Sequence, residues 1–100
     1  MIVWFNGCLM DSDEVRISPF DHGFLVGDGV FETLVARGGR PVAARRHWER
    51  LMRSCELMGL PCLSGEEFLG ALIGVLRAND LSEARLRLTI TSGEGPLGSD

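Results

Sequence analysis

The chain has 100 residues, enough for at most one domain of ordinary size. Its apolar content of 45% can supply a core, and its net charge of −4 argues against a nucleic-acid partner. No apolar run approaches the roughly 18 residues that span a bilayer, and no signal-peptide pattern opens the chain, so no membrane association is predicted. We therefore expect a cytoplasmic protein.

The cysteines and histidines indicate neither a disulfide framework nor a metal site. The three cysteines, Cys8, Cys55 and Cys62, are odd in number and irregularly spaced. This usage predicts free thiols in a reducing compartment. The two histidines, His22 and His47, have no neighbouring cysteine, which argues against zinc.

The first element is predicted to be a β-hairpin. Residues 2–5 form a short β-type run, and Asn6-Gly7 is the dipeptide that a type I′ turn prefers. Residues 8–10 would then return as the second strand. Residues 11–19 form a polar connection.

Three closely spaced glycines distinguish the segment from Asp21 to Glu32. Gly23, Gly27 and Gly29 stand there among acids and aromatic residues. Glycines at this density mark backbone with positive φ, or backbone that another group approaches closely. The segment therefore predicts a loop that delivers the following strand to a site.

Strand patterns follow this loop. Residues 30–36 are rich in β-branched and apolar side chains, and Gly38-Gly39 would turn the chain back. Pro41 is tolerated only near a strand end or at a sheet edge. Residues 85–91 alternate strictly between polar and apolar side chains, as a half-buried strand does. We expect one antiparallel sheet built from residues near 2–10, 29–44 and 84–92.

Two helices are predicted near residues 45–58 and 65–79. Gly59 would end the first helix, and Ser64 with Glu67 forms a capping-box pattern at the start of the second. The fold class predicted is α+β, a small antiparallel sheet with two helices packed on one face. The predicted buried positions are Trp48, Leu51, Met52, Cys55 and Met58 in the first helix, and Phe68, Leu69, Leu72, Val75 and Leu76 in the second.

The glycine segment resembles the N-terminal signature of the class IV aminotransferases, the pyridoxal-phosphate enzymes of fold type IV. That family includes branched-chain aminotransferases, D-amino-acid aminotransferases and aminodeoxychorismate lyases. The resemblance implies that residues 1–100 are the N-terminal small α/β domain of such an enzyme, and that the loop after residue 93 leads into a second, larger domain. Further matching motifs are Trp4-Phe5-Asn6-Gly7, Gly38-Gly39-Arg40-Pro41 and His47-Trp48-Glu49-Arg50-Leu51.

The resemblance implies pyridoxal 5′-phosphate as cofactor, which such enzymes hold as a Schiff base on a lysine. This chain contains no lysine. In the resembled family that lysine lies in the second domain, which is absent from this chain. We therefore expect no catalytic residue within these 100 residues, and no aminotransferase or lyase activity from them alone.

Arg50 is the residue that the resemblance assigns to the cofactor phosphate. A planar guanidinium suits bidentate contact with a phosphate group. The alternative is an exposed helix arginine paired with Glu49 or with the neighbours of Arg46. The motif on both sides of Arg50 favours the cofactor role.

Three further residues match substrate-binding positions of the family: Phe31, Val26 and Arg87. Phe31 and Val26 would line the substrate pocket, and Arg87 would recognise a substrate carboxylate. The alternative for Phe31 and Val26 is ordinary core. For Arg87 it is a solvated pair with Arg85 on a polar sheet face.

The acidic residues and His22 of the glycine segment are expected to be structural. Asp21 and Asp28 can accept backbone amides and fix the loop. Glu32 follows in a strand with no partner nucleophile nearby, so an acid–base role for Asp28 and Glu32 is disfavoured.

The leading functional hypothesis is the N-terminal domain of a branched-chain amino-acid aminotransferase, acting on an amino-acid or keto-acid substrate as a homodimer. Aminodeoxychorismate lyase is the alternative within the family, because the chain has no tyrosine to supply a pocket phenol. Residues 92–94 lack the Arg-x-His of D-amino-acid enzymes, which disfavours that subclass. A stand-alone, non-catalytic module that retains the fold is the third hypothesis.

Overall fold

The computed structural model describes residues 1–94, and it confirms the predicted α+β fold class. The predicted passage of the last residues into a second domain lies outside the described part. Within it, no helix is long and apolar enough to cross a membrane. The elements in chain order are β1 (Ile2–Phe5), β2 (Cys8–Asp11), α1 (His22–Val26), β3 (Gly29–Arg37), β4 (Arg40–Pro41), α2 (Ala44–Met58), α3 (Gly65–Ala78) and β5 (Ala84–Thr91).

The N-terminal hairpin forms as predicted, but as a two-stranded sheet of its own and not as part of one sheet. Asn6 and Gly7 both have positive φ, 49° and 94°, as a type I′ turn requires. The hairpin is held against α3, since Asn79 accepts from the Ile2 amide and donates to the Ile2 carbonyl, both at 2.8 Å. These bonds join residues 77 positions apart and fix the hairpin to the C-terminal end of α3.

The larger sheet has three antiparallel strands in the order β4-β3-β5. The β3–β5 pairing runs from Gly29 opposite Thr91 to Ala36 opposite Ala84. Pro41 lies in the edge strand, as predicted. The core lies between one face of this sheet and the two long helices, and comprises Leu34, Ala36, Leu51, Cys55, Leu60, Phe68, Leu72, Leu76, Leu86 and Leu88.

The long helices begin and end within one residue of the predicted positions. The capping box is present, with the Glu67 amide donating to the Ser64 hydroxyl at 3.1 Å and the reciprocal bond at 3.0 Å. The predicted apolar stripes were too broad, because Met52, Met58 and Leu69 lie outside the helix stripes that the sheet covers. Their exposed fractions are 41%, 47% and 41%.

Candidate functional site

The glycine segment contains a short helix where the sequence predicted a loop. Asp21 caps this helix, α1, because its Oδ1 accepts from the amides of Gly23 at 2.8 Å and Phe24 at 3.4 Å. Gly27 ends it with φ 70°. The predicted role of Asp21 as an acceptor of backbone amides is therefore confirmed.

Helix α1 is fixed against the end of β5. The Thr91 hydroxyl donates to Asp21 Oδ2 at 2.9 Å. A Cβ on Gly23 would collide with the Thr91 methyl group, and one on Gly29 would lie 2.9 Å from the Ile90 carbonyl oxygen. Glycine at these two positions therefore allows the segment to pack closely against β5, and a larger residue would displace the segment.

Asp28 is also bound at the end of β5, through the side chain of Ser92, the residue that follows the strand. Its Oδ2 accepts from the Ser92 hydroxyl at 3.0 Å and lies 3.9 Å from His22 Nδ1. Asp28 was predicted to accept from a backbone amide, whereas the contact described here is with a side-chain hydroxyl. Asp21 and Asp28 therefore both tie the glycine segment to the end of β5.

An open cleft of about 590 Å³ lies between the glycine segment and the end of β5. Neither Arg50 nor any of the three residues predicted to bind substrate lines it. The cleft lies beside the predicted site and not in it. Its lining residues are Ile17, Ser18, Pro19, Asp21, Gly23, Phe24, Gly27, Gly29, Thr89 and Thr91.

Arg50 donates to Glu32 through two of its guanidinium nitrogens, in three contacts. Its Nε lies 3.0 and 3.2 Å from the two carboxylate oxygens, and its Nη2 lies 2.9 Å from Oε1. The Glu32 side chain is 5% exposed and that of Arg50 is 60% exposed. The alternative hypothesis paired Arg50 with Glu49. In the structure, Arg50 pairs instead with Glu32, a buried acid on β3.

His47 completes this cluster on α2. Its Nδ1 lies 2.7 Å from Glu32 Oε1. Burial alone would raise the pKa of Glu32, but the hydrogen bonds and charges of Arg50 and His47 outweigh burial and lower it. Because an ionised carboxylate only accepts, the proton of this hydrogen bond belongs to His47 Nδ1.

Phe31 and Arg87 meet on the opposite face of the sheet. The guanidinium carbon of Arg87 lies 4.0 Å from the centroid of the Phe31 ring, within the range of a cation–π contact. Phe31 is 55% exposed, so the alternative of ordinary core is wrong for this residue. Arg87 lies on the polar face of β5, as predicted.

Val26 is the last residue of α1 and is 62% exposed, so it too lies outside the core. The structure brings Phe31 and Arg87 into contact with each other, and brings Arg50 to Glu32. Glu32 and Phe31 are neighbours in β3, so their side chains point to opposite faces of the sheet. Arg50, which contacts Glu32, and Phe31 therefore lie on opposite sides of β3.

From the sequence, Glu32 was interpreted as structural and His47 only as part of a matching motif. The cluster that these two residues form with Arg50 was not predicted. A pattern in β3 could have indicated them. Glu32 alternates in step with Leu34 and Ala36, so it falls on the apolar face of the strand. A carboxylate predicted on such a face needs a cationic or hydrogen-bonding partner.

Comparison with known proteins relates this chain to a family of enzymes. A protein from Methanocaldococcus jannaschii assigned as a branched-chain-amino-acid aminotransferase is 38% identical over 100% of this chain and 35% of its own length. The aminodeoxychorismate lyase of Bacillus subtilis is 39% identical, over 97% of this chain and 34% of its own. The chain thus spans about a third of the length of these relatives.

Solved structures show the same fold. The branched-chain amino acid aminotransferase of Escherichia coli superposes with a TM-score of 0.89 at 28% identity, over 97% of this chain and 34% of that one. A hypothetical aminotransferase from Mycobacterium tuberculosis, in its PLP-bound form, gives 0.81 at 28% identity, over 99% and 36%. The family model for amino-transferase class IV matches residues 29–100, and the chain belongs to that family.

Proposed function

We propose that this chain is the cofactor-phosphate-binding and pocket-lining domain of a pyridoxal-phosphate-dependent aminotransferase of branched-chain type. The observation that carries the proposal is the Arg50–Glu32 pair within the matched region. In this proposal, the lysine that would hold the cofactor would be supplied by a part of the complete protein other than these 100 residues. A homodimer is part of the proposal, and the cytoplasmic location stays a prediction.

The exposed guanidinium of Arg50 suits a phosphate group. Glu32 occupies Nε and Nη2, while no acceptor within residues 1–94 contacts Nη1. With 60% of its side chain exposed, Arg50 presents a fixed cation to solvent. A phosphate dianion needs such a cation or convergent amides to replace its water.

The other residues of the chain would bind and orient the substrate. Arg87 would pair with a substrate carboxylate, Phe31 would form an apolar wall beneath it, and Val26 would contribute a second wall. When bound, pyridoxal phosphate supplies an electron sink for negative charge at the amino-acid α-carbon. The chain has no lysine, so it offers no side-chain amine for proton transfer.

Titration of pyridoxal phosphate into the complete protein tests the role of Arg50. Arg50→Ala should weaken binding by about 1.5–3 kcal/mol, the scale of a hydrogen bond to a charged group. Arg50→Lys should restore only part of this, because an ammonium cannot make the forked contact. Arg53→Ala removes an exposed arginine from the same helix and serves as the control. Equal affinity of the wild type and Arg50→Ala would refute the assignment.

Aminodeoxychorismate lyase is the second candidate. It is favoured by the absence of tyrosine and by a lyase relative of 39% identity, close to the 38% of the aminotransferase relative. Assays of the complete protein with branched-chain amino acids plus an oxo acid, and separately with aminodeoxychorismate, distinguish the two. Activity with neither substrate, alongside no binding of cofactor, would support the non-catalytic module instead.

A further inference from the structure

Glu32 is the only charged side chain that is buried among residues 1–94. A carboxylate taken out of water is costly unless several donors satisfy it. Glu32 has two donor residues, Arg50 and His47, both from α2. The fold therefore places a buried acid on β3 where it binds one face of that helix.

The geometry of the pair limits the freedom of Arg50. Contact through both Nε and Nη2 fixes the plane of the guanidinium, and not only its position. A single contact would leave the group free to rotate about its stem. The opposite edge of the guanidinium, which carries Nη1, is consequently held in one direction although the side chain is largely exposed.

We propose that Glu32 is a positioning residue that orients the guanidinium of Arg50 toward a phosphate group, with His47 holding the carboxylate in place. This inference rests on the proposed function, since it needs Arg50 to bind phosphate. Glu32 itself does not touch the ligand. Its effect passes through Arg50 alone.

Two effects of Glu32 on phosphate binding oppose each other. Its negative charge repels a phosphate, but hydrogen bonds from Arg50 and His47 offset that charge. On the other side, Glu32 fixes the Arg50 side chain before the phosphate binds. Binding then loses less conformational entropy, which is large for an arginine side chain, and the affinity is higher. Orientation outweighs repulsion, so loss of Glu32 weakens phosphate binding.

The test is a double-mutant cycle on the complete apo-protein, titrated with pyridoxal 5′-phosphate and with pyridoxal, which lacks the phosphate. Glu32→Gln should weaken binding of pyridoxal phosphate about threefold to tenfold, within the range of arginine rotamer freedom. Binding of pyridoxal should be unchanged. In the Arg50→Ala background, Glu32→Gln should cause no further loss.

Two variants separate position from charge. Glu32→Asp keeps the charge but shortens the reach, and it should show the same phosphate-specific loss; it also serves if Glu32→Gln folds poorly. Glu49→Gln removes one exposed carboxylate from α2 without touching the pair, and it should bind as the wild type does. Thermal midpoints of the apo-proteins verify that each variant is folded.

Equal or tighter binding of pyridoxal phosphate by Glu32→Gln would overturn the inference. So would a loss that is the same for pyridoxal, or one that persists in the Arg50→Ala background, because either would mark a purely structural role. These outcomes leave the proposed function intact as long as Arg50→Ala weakens binding. If the wild type binds no pyridoxal phosphate, both proposals fail together.

Discussion

The guanidinium of Arg87 stacks on the ring of Phe31, 4.0 Å from its centroid, on the face of the sheet that the helices leave open. The two residues come from different strands, β5 and β3. Thr33 stands opposite Arg87, so Arg87 reaches diagonally across the sheet to Phe31. An arginine held in this way keeps its charge while its orientation is restricted.

This stack predicts unequal effects of two substitutions on substrate binding in the complete protein. Arg87→Ala should raise the KM for a carboxylate substrate strongly, because it removes the cation. Phe31→Leu should raise the KM less, by a factor that corresponds to about 0.5–1 kcal/mol of binding free energy, the value of an exposed cation–π contact. Steady-state kinetics measures both.

Arg85→Ala is the matched control for Arg87, because Arg85 lies on the same strand and the same exposed face. It should leave KM near the wild-type value. If Arg85→Ala and Arg87→Ala change KM equally, Arg87 belongs to a solvated pair and binds no substrate.

Two leucines of α2 should differ sharply in their effect on stability. Leu51 is 0% exposed and Leu57 is 88% exposed. Leu51→Ala should lower the free energy of unfolding by about 2–5 kcal/mol, since it leaves a cavity among packed side chains. Leu57→Ala should change it by less than about 0.5 kcal/mol. Denaturant unfolding of both variants checks this, and equal losses would contradict the packing described.

Local patterns were enough to predict most of the fold. The alternation over residues 85–91 and the capping box at Ser64 depend on neighbours in sequence, and both elements formed as predicted. The division into two sheets was not predictable in this way. The hairpin is bound to α3 through Asn79 and Ile2, a contact between residues 77 positions apart that no local pattern encodes.

The candidate site was predictable only in part. The family resemblance selected Arg50 and Arg87, and the structure adds their immediate neighbours. The Arg50–Glu32 contact joins a helix to a strand 18 residues earlier, so its geometry follows from packing and not from spacing. The short helix α1 was missed because its glycines indicated a loop, whereas Asp21 supplies the cap that makes a helix possible.

Two glycines should respond to alanine with opposite sign. Gly23 has the Thr91 methyl group where a Cβ would stand, whereas a Cβ on Gly70 of α3 would meet nothing within 4 Å. Gly23→Ala should destabilise the protein by about 1–3 kcal/mol through overpacking. Gly70→Ala should stabilise it by about 0.5–1 kcal/mol through helix propensity.

Thermal or denaturant unfolding of the two glycine variants measures both signs. A stabilised Gly23→Ala variant would mean that the glycine segment does not pack on β5 as described. Loss of stability in Gly70→Ala would mean that this face of α3 is covered.

The pKa of Glu32 makes part of the stability dependent on pH. Burial raises the pKa of Glu32, but the hydrogen bonds and charges of Arg50 and His47 lower it by more than burial raises it. The pKa in the folded protein therefore lies below the ordinary 4.5. An acid whose pKa is lowered by folding binds fewer protons in the folded state than in the unfolded state. Its stabilising contribution is therefore fully present above about pH 4.5 and is lost as the pH falls through the folded pKa.

Thermal midpoints of the wild type and of Glu32→Gln, measured from about pH 7 to about pH 3, test this linkage. The wild type should be the more stable near neutral pH, and the difference should shrink steadily below about pH 4.5 because glutamine cannot titrate. Glu49→Gln alters an exposed carboxylate of the same helix, and its difference from the wild type should stay small throughout. A gap between wild type and Glu32→Gln that is constant with pH would mean that Glu32 stabilises the fold by packing, and that its ionised form is not what Arg50 and His47 hold.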